Sequence, residues 1–142
     1  MIGSRLAHYR ILEKLGEGGM GIVFLAEDER LHRKVALKTL PPALAEDPQR
    51  LARFEREVKT VAALNHPNIV TIFDAGEEHD LAYIAMEFLK GKDLVPYTKP
   101  GNLMPLAKVM DVAARVADAL YYAHQNSVVH RDIKPANIMY EP

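Results

Sequence analysis

Four glycines, Gly16, Gly18, Gly19 and Gly21, stand between two stretches that both read as β-strand. This arrangement limits the fold more than any other local feature of the chain. Tyr9–Leu15 and Ile22–Ala26 are rich in strand formers and are bounded by turn signals. Glycine allows a tight strand-to-strand turn and leaves backbone N–H groups free to approach phosphate oxygens. A dinucleotide-binding fingerprint would place a helix after the glycines; here a strand follows. Alone, the pattern is equally a plain glycine hairpin.

A third strand is expected over Lys34–Leu40. Its alternation sets Ala36 and Lys38 on one face and Val35 and Leu37 on the other. A helix follows, with Asp47 as N-cap and Pro48 as its first residue. Leu51, Phe54, Val58, Val61 and Leu64 recur at helical spacing. His66-Pro67-Asn68 ends the pattern, because proline pushes its predecessor out of the helical region. Ile69–Asp74 and Leu81–Phe88 read as two more strands around the turn at 76–80. The segment 89–105 is broken by Gly91, Pro96, Pro100, Gly101 and Pro105 and reads as a linker with at most a short helix. A long amphipathic helix is expected from about Pro105 to Gln125, with Asp111 and Arg115 paired on its exposed face.

Two charged residues stand out. Lys38 shares a strand face with Ala36, about 7 Å away along the strand. A flat ring packed on Ala36 and a phosphate on Lys38 would fit that spacing; an ordinary solvated edge lysine is the alternative. In helical projection Glu57 falls inside the apolar arc of residues 51–64, between Val61 and Leu64. A carboxylate facing a core needs a partner, and Lys38 is the natural cation. The other placement for Glu57 is the rim of the arc, in solvent.

The segment His130-Arg131-Asp132-Ile133-Lys134-Pro135-Ala136-Asn137 follows the apolar pair Val128-Val129. Pro135 holds Lys134 out of helix. One loop thereby supplies a carboxylate that can accept a hydroxyl proton, an ammonium for a transferring phosphoryl group and an amide oxygen for a divalent metal. A merely polar loop after a helix would not be expected to match eight residues in order.

Taken together, these segments resemble the N-terminal half of a bacterial Hanks-type, eukaryotic-like Ser/Thr protein kinase domain, from about Tyr9 onward. The resemblance implies an α+β, protein-kinase-like fold. It comprises a five-stranded antiparallel N-lobe sheet with one helix over residues 1–88. The hinge, the start of a helical C-lobe and the catalytic loop occupy 89–142. It implies ATP and Mg2+ as cofactors and phosphoryl transfer to a protein Ser/Thr hydroxyl. Gly16, Gly18 and Gly21 would cover the phosphates, and Leu15, Val23 and Ala36 would enclose adenine. Lys38 would hold the α/β-phosphates and pair with Glu57. Met86 matches the gatekeeper, Glu87 and Leu89 the hinge, and Met139 the floor of the adenine pocket. Asp132 would be the catalytic base, Lys134 the γ-phosphate contact and Asn137 the metal ligand. Lys134 before Pro135 matches the Ser/Thr class.

The chain departs from that pattern at its end. The family's Asp-Phe-Gly, activation segment and Ala-Pro-Glu follow the catalytic loop, and none is present in these 142 residues. The expectation is therefore an isolated chain without activity. The alternatives are a truncated, non-catalytic nucleotide-binding or interaction module and, less well supported by Lys134-Pro135, a small-molecule kinase of similar fold.

The remaining features narrow the partners. A net charge of −1 gives no basic footprint for nucleic acid. No cysteine is present, which excludes disulfides and thiolate metal sites and fits a cytoplasmic location. The longest stretch without Asp, Glu, Lys or Arg, Thr60 to Phe73, falls short of the ~20 apolar residues of a membrane span. A soluble chain is expected, with any membrane anchor in a longer parent. Exposed apolar surface on the long helix invites self-association. None of the six histidines has a metal-ligand spacing.

Overall fold

The computed structural model describes residues 2–18, 21–78, 81–128, 133, 135 and 138–140. Eight strands and three helices follow in chain order. They are β1 (Arg5–Leu6), β2 (Tyr9–Gly18), β3 (Gly21–Asp28), β4 (Arg33–Thr39), α1 (Pro42–Ala45), α2 (Pro48–Ala62), β5 (Ile72–Glu78), β6 (Leu81–Glu87), β7 (Lys92–Asp93), α3 (Leu106–Gln125) and β8 (Met139–Tyr140), with a 3-10 turn over Val95–Thr98 before α3. They form two compact units. One comprises Met1–Ala63 and Val70–Phe88, the other Leu64–Ile69 and Leu89–Pro142.

The first unit is built on an antiparallel sheet of order β1-β2-β3-β4-β6-β5. It has six strands where the sequence pattern gives five, because Arg5–Leu6 folds back on Tyr9 and Arg10. Two residues carry no periodicity. What holds them is tertiary: Leu6 is buried, Ala7 takes a positive φ of 54° at the turn, and the Ala7 N–H donates to the Glu78 carboxylate. One face of the sheet is the core of the unit. Tyr9, Ile11, Phe24, Ala26, Val35, Leu37, Tyr83 and Ala85 pack there with Leu6. The Tyr9 hydroxyl donates to Asp74 Oδ2 at 2.9 Å, tying β2 to β5. Burial, then the hydrogen bond and charge of Asp74, push the Tyr9 phenol far above its ordinary range.

Helix α2 begins where its cap predicts. Asp47 is the N-cap, its Oδ1 accepts from the Gln49 and Arg50 N–H groups, and Pro48 opens the helix. It ends at Ala62, before His66: Ala63 caps it with its N–H on Lys59 O, and the Ile69 N–H closes the following turn on His66 O.

In that second unit the Tyr122 hydroxyl accepts the Asn65 N–H at 2.9 Å. His66 Nδ1 accepts the Asn68 N–H, so Nε2 carries the ring proton and donates to Asp118 at 2.9 Å. Helix α3 spans the range the periodicity gives, and Asp111 and Arg115 pair at 3.2 Å. It closes in a two-bond cap: the Ser127 N–H reaches His124 O and the Val128 N–H reaches Ala123 O. Ser127 accepts a left-handed φ of 64° there, a position usually held by glycine. Strand β7 of the linker pairs with β8, beyond α3, joining Lys92 to Tyr140 and Asp93 to Met139.

Candidate functional site

The face of the first unit's sheet opposite the core carries the expected nucleotide residues. Directly opposed residues of antiparallel strands share a face. Val23 opposes Lys38, Leu25 opposes Ala36, Ala36 opposes Met86, and Lys38 opposes Ile84. Val23, Ala36, Lys38 and Met86 therefore stand on one face, and Gly16, opposite Val23, extends it to the glycine hairpin. The neighbouring pairs Phe24–Leu37 and Leu37–Ala85 point into the core. A one-residue slip would exchange the two faces, so the core residues fix the register that sets Lys38 beside Ala36.

The hairpin glycines differ in what they do. Gly21 has φ 117°, and a Cβ there would lie 2.0 Å from the Thr39 carbonyl oxygen. Glycine is a structural requirement at that position. At Gly16 a Cβ would meet nothing within 4 Å. Among the described residues, open space lies at that position. Leu15, just before Gly16, is 43% exposed.

Lys38 is half-buried and makes no ion pair among the described residues. The expected partner is elsewhere. Glu57 Oε1 accepts from Arg53 Nε at 3.1 Å, with both side chains well exposed (67% and 75%). The pair with Lys38 is not formed in this structure. The physical reason lies in the helix. Val58 is the buried residue of α2, and Phe54 and Val61 are half-buried. Glu57 stands about 100° from Val58, at the rim of the apolar arc. Arg53, one turn earlier, reaches it in solvent.

The Glu87 N–H donates to the Thr71 carbonyl at 2.9 Å, and the Glu87 carboxylate accepts the Thr71 N–H at 3.2 Å. Leu89 and Met139 belong to the second unit, the former half-buried and the latter 44% exposed. Asp132, Lys134 and Asn137, with His130, lie outside the described residues. Among the described residues no group of His, Cys, Asp and Glu could hold a metal ion, and no helix is long and apolar enough to cross a membrane.

The second unit also holds a cavity of about 650 Å3 that sequence periodicity did not delimit. Its walls are apolar side chains of α3, including Val109, Val112 and Val116, with Leu94, Ile133 and Ile138. Among the described residues, Tyr97 and Thr98 are the polar side chains on its wall.

Comparison with known proteins gives a consistent answer. The model of the protein kinase domain family matches residues 9–142. Serine/threonine-protein kinase PrkC of Bacillus subtilis is 45% identical over 141 residues, covering 98% of this chain and 22% of the relative. Serine/threonine-protein kinase PknB of Mycobacterium tuberculosis is 46% identical over 135 residues, covering 92% of this chain and 22% of the relative. Among solved structures, the PknI kinase domain of M. tuberculosis superposes with a TM-score of 0.86 at 35% identity, covering 98% of this chain and 56% of that one. The chain thus spans about a fifth of these curated relatives and just over half of a solved kinase domain.

Proposed function

From the premise that this chain belongs to the protein kinase domain family, and is a partial kinase domain, we propose that it carries the nucleotide half of a Ser/Thr protein kinase. Residues 1–88 form the ATP-binding lobe, and 89–142 the start of the second lobe with the catalytic loop. The observation that carries this reading is the register that sets Val23, Ala36, Lys38 and Met86 on one face beside the open space at Gly16.

On this reading Leu15, Val23 and Ala36 enclose adenine and Met86 is the gatekeeper beside it; Met139 keeps the floor role that the family resemblance implies. Glu87 and Leu89 meet the polar edge of adenine through the backbone. Gly16, Gly18 and Gly21 approach the phosphates with N–H groups, which costs little reorganisation because the hairpin is already formed. Lys38 neutralises the α/β-phosphates and pairs with Glu57 once Arg53 releases it. Asp132 orients the protein hydroxyl and takes its proton, and Lys134 meets the γ-phosphate. Asn137 would hold magnesium, which when bound supplies neutralisation of charge on the phosphates. Catalysis is positioning and electrostatics.

On this reading the kinase acts in the cytoplasm, where ATP is supplied. The test is transfer of labelled phosphate from magnesium ATP to a generic protein substrate. The 142-residue chain should give none, and a chain extended through the remaining kinase domain should give transfer that Asp132→Asn abolishes. Turnover by the short chain would refute the reading of it as inactive, and turnover by the extended Asp132→Asn variant would refute the role given to Asp132.

The cavity on α3 favours a second reading of the short chain as a non-catalytic module that self-associates. Its check is molar mass by light scattering over a concentration series. A monomer throughout would remove that reading and leave the first intact.

A further inference from the structure

The outward side of α2 holds a concavity of about 260 Å3 lined by Arg53, Arg56, Glu57 and Thr60. Arg53 is engaged with Glu57, while Arg56 makes no ion pair among the described residues. Thr60 is exposed, and its hydroxyl donates to the Arg56 carbonyl at 3.1 Å. Positions 53, 56 and 60 share one helical face, Arg56 one turn and Arg53 two turns before Thr60; Arg53 is drawn toward Thr60 by its bond to Glu57, and both arginines line the concavity at Thr60. The chain has six serine and threonine residues, Ser4, Thr39, Thr60, Thr71, Thr98 and Ser127. Thr60 is the one that helical spacing sets beside two arginines.

We propose that Thr60 is a phosphorylation site whose phosphomonoester is held by Arg53 and Arg56, and that the modification takes Arg53 away from Glu57. Thr60 Oγ1 attacks the γ-phosphorus of a nucleoside triphosphate bound by a complete Ser/Thr protein kinase. The Oγ1–phosphorus bond forms and the bond to the bridging β–γ oxygen breaks. The nucleoside diphosphate leaves, and the hydroxyl proton passes to that kinase's carboxylate base. Thr60 lies in the last turn of α2, whose opening exposes the hydroxyl at small cost. A dianion in that turn opposes the helix dipole, so it needs the two guanidiniums beside it. It outbids a single carboxylate for Arg53, because a phosphomonoester offers more charge and three acceptor oxygens. Glu57, one turn away, is then both unpaired and repelled. Its transfer to Lys38 rests on the nucleotide-binding reading; the phosphate site does not.

The test uses the 142-residue chain, magnesium ATP and the catalytic domain of the B. subtilis relative, with modified residues mapped by mass spectrometry. Phosphate is expected on Thr60 and absent from that position in Thr60→Ala. The second arm places phosphothreonine at position 60 during translation, in the natural chain and in the Arg53→Gln, Arg56→Gln double variant. The phosphorus resonance should titrate about 0.5 unit lower in the natural chain, from an ordinary value near 6. The Glu57 carboxylate resonance should move on phosphorylation. No phosphate on Thr60, a titration indifferent to the two arginines, or an unmoved Glu57 resonance would each overturn the proposal. The phosphoryl donor enzyme is a second protein. Failure of this chain to transfer phosphate therefore bears on its proposed function and not on this site.

Discussion

The two units treat their apolar residues in opposite ways. The first closes a core around Val35, Leu37, Phe24 and Ala85 and sets Val23, Ala36, Lys38 and Met86 on the other sheet face. In the second, α3 fully buries only Ala119 and Ala123, while Leu106, Val109 and Met110 stay exposed beside an apolar cavity. A sheet with one filled face holds its register against slippage. A helix whose apolar stripe lacks a partner is held by caps and local bonds, a weaker constraint. The part that would bind nucleotide is thus the better determined of the two.

That contrast can be broken from either side, starting with the largest effect. Leu37 is fully buried, so Leu37→Ala should destabilise the first unit by about 3 kcal/mol in urea unfolding. A loss below about 1 kcal/mol would mean the core is looser than its burial indicates. Gly21→Ala should cost about 2 kcal/mol, from a left-handed φ and collision with Thr39, while Gly16→Ala should leave stability unchanged and weaken nucleotide binding. Equal effects at the two glycines would erase the distinction between the structural and the open position. Tyr9→Phe should cost about 1 kcal/mol by removing the bond to Asp74. The Tyr9 phenol is raised above its ordinary 10.0 in the folded chain. The unfolded chain therefore loses that proton first, and stability should fall as pH rises past about 10. Tyr9→Phe should flatten that slope. Val109→Ser, on the half-exposed helix face, should change stability by less than about 0.5 kcal/mol. A larger loss would show that the α3 face is covered in solution.

What the sequence disclosed follows the range of the forces involved. Asp47 and Pro48 act within one turn, and α2 begins where they place it. The alternation of 35–38 acts along one strand, and its two faces are as expected. β1 and the β7–β8 ladder carry no periodicity because each strand is two residues long, and each is held from far along the chain, the first through the Glu78 carboxylate on the Ala7 N–H and the second through residues 139–140. Strand β5 starts at Ile72 instead of Ile69 because His66, Asn65 and Ile69 are engaged in a turn tied to α3. Glu57 illustrates a finer limit. Projection placed it near the core, but rim and core differ by one residue's rotation, and a neighbouring arginine was enough to decide it.

The central claim is that the face carrying Ala36 and Lys38 binds the nucleotide. Backbone amide resonances of this chain, followed during titration with magnesium ATP, test it most directly. Shifts should concentrate at Gly16, Gly18, Gly21, Val23, Ala36, Lys38 and Met86 and vanish in Lys38→Met. Shifts centred on Phe24, Leu37 and Ala85, or undiminished in Lys38→Met, would contradict it.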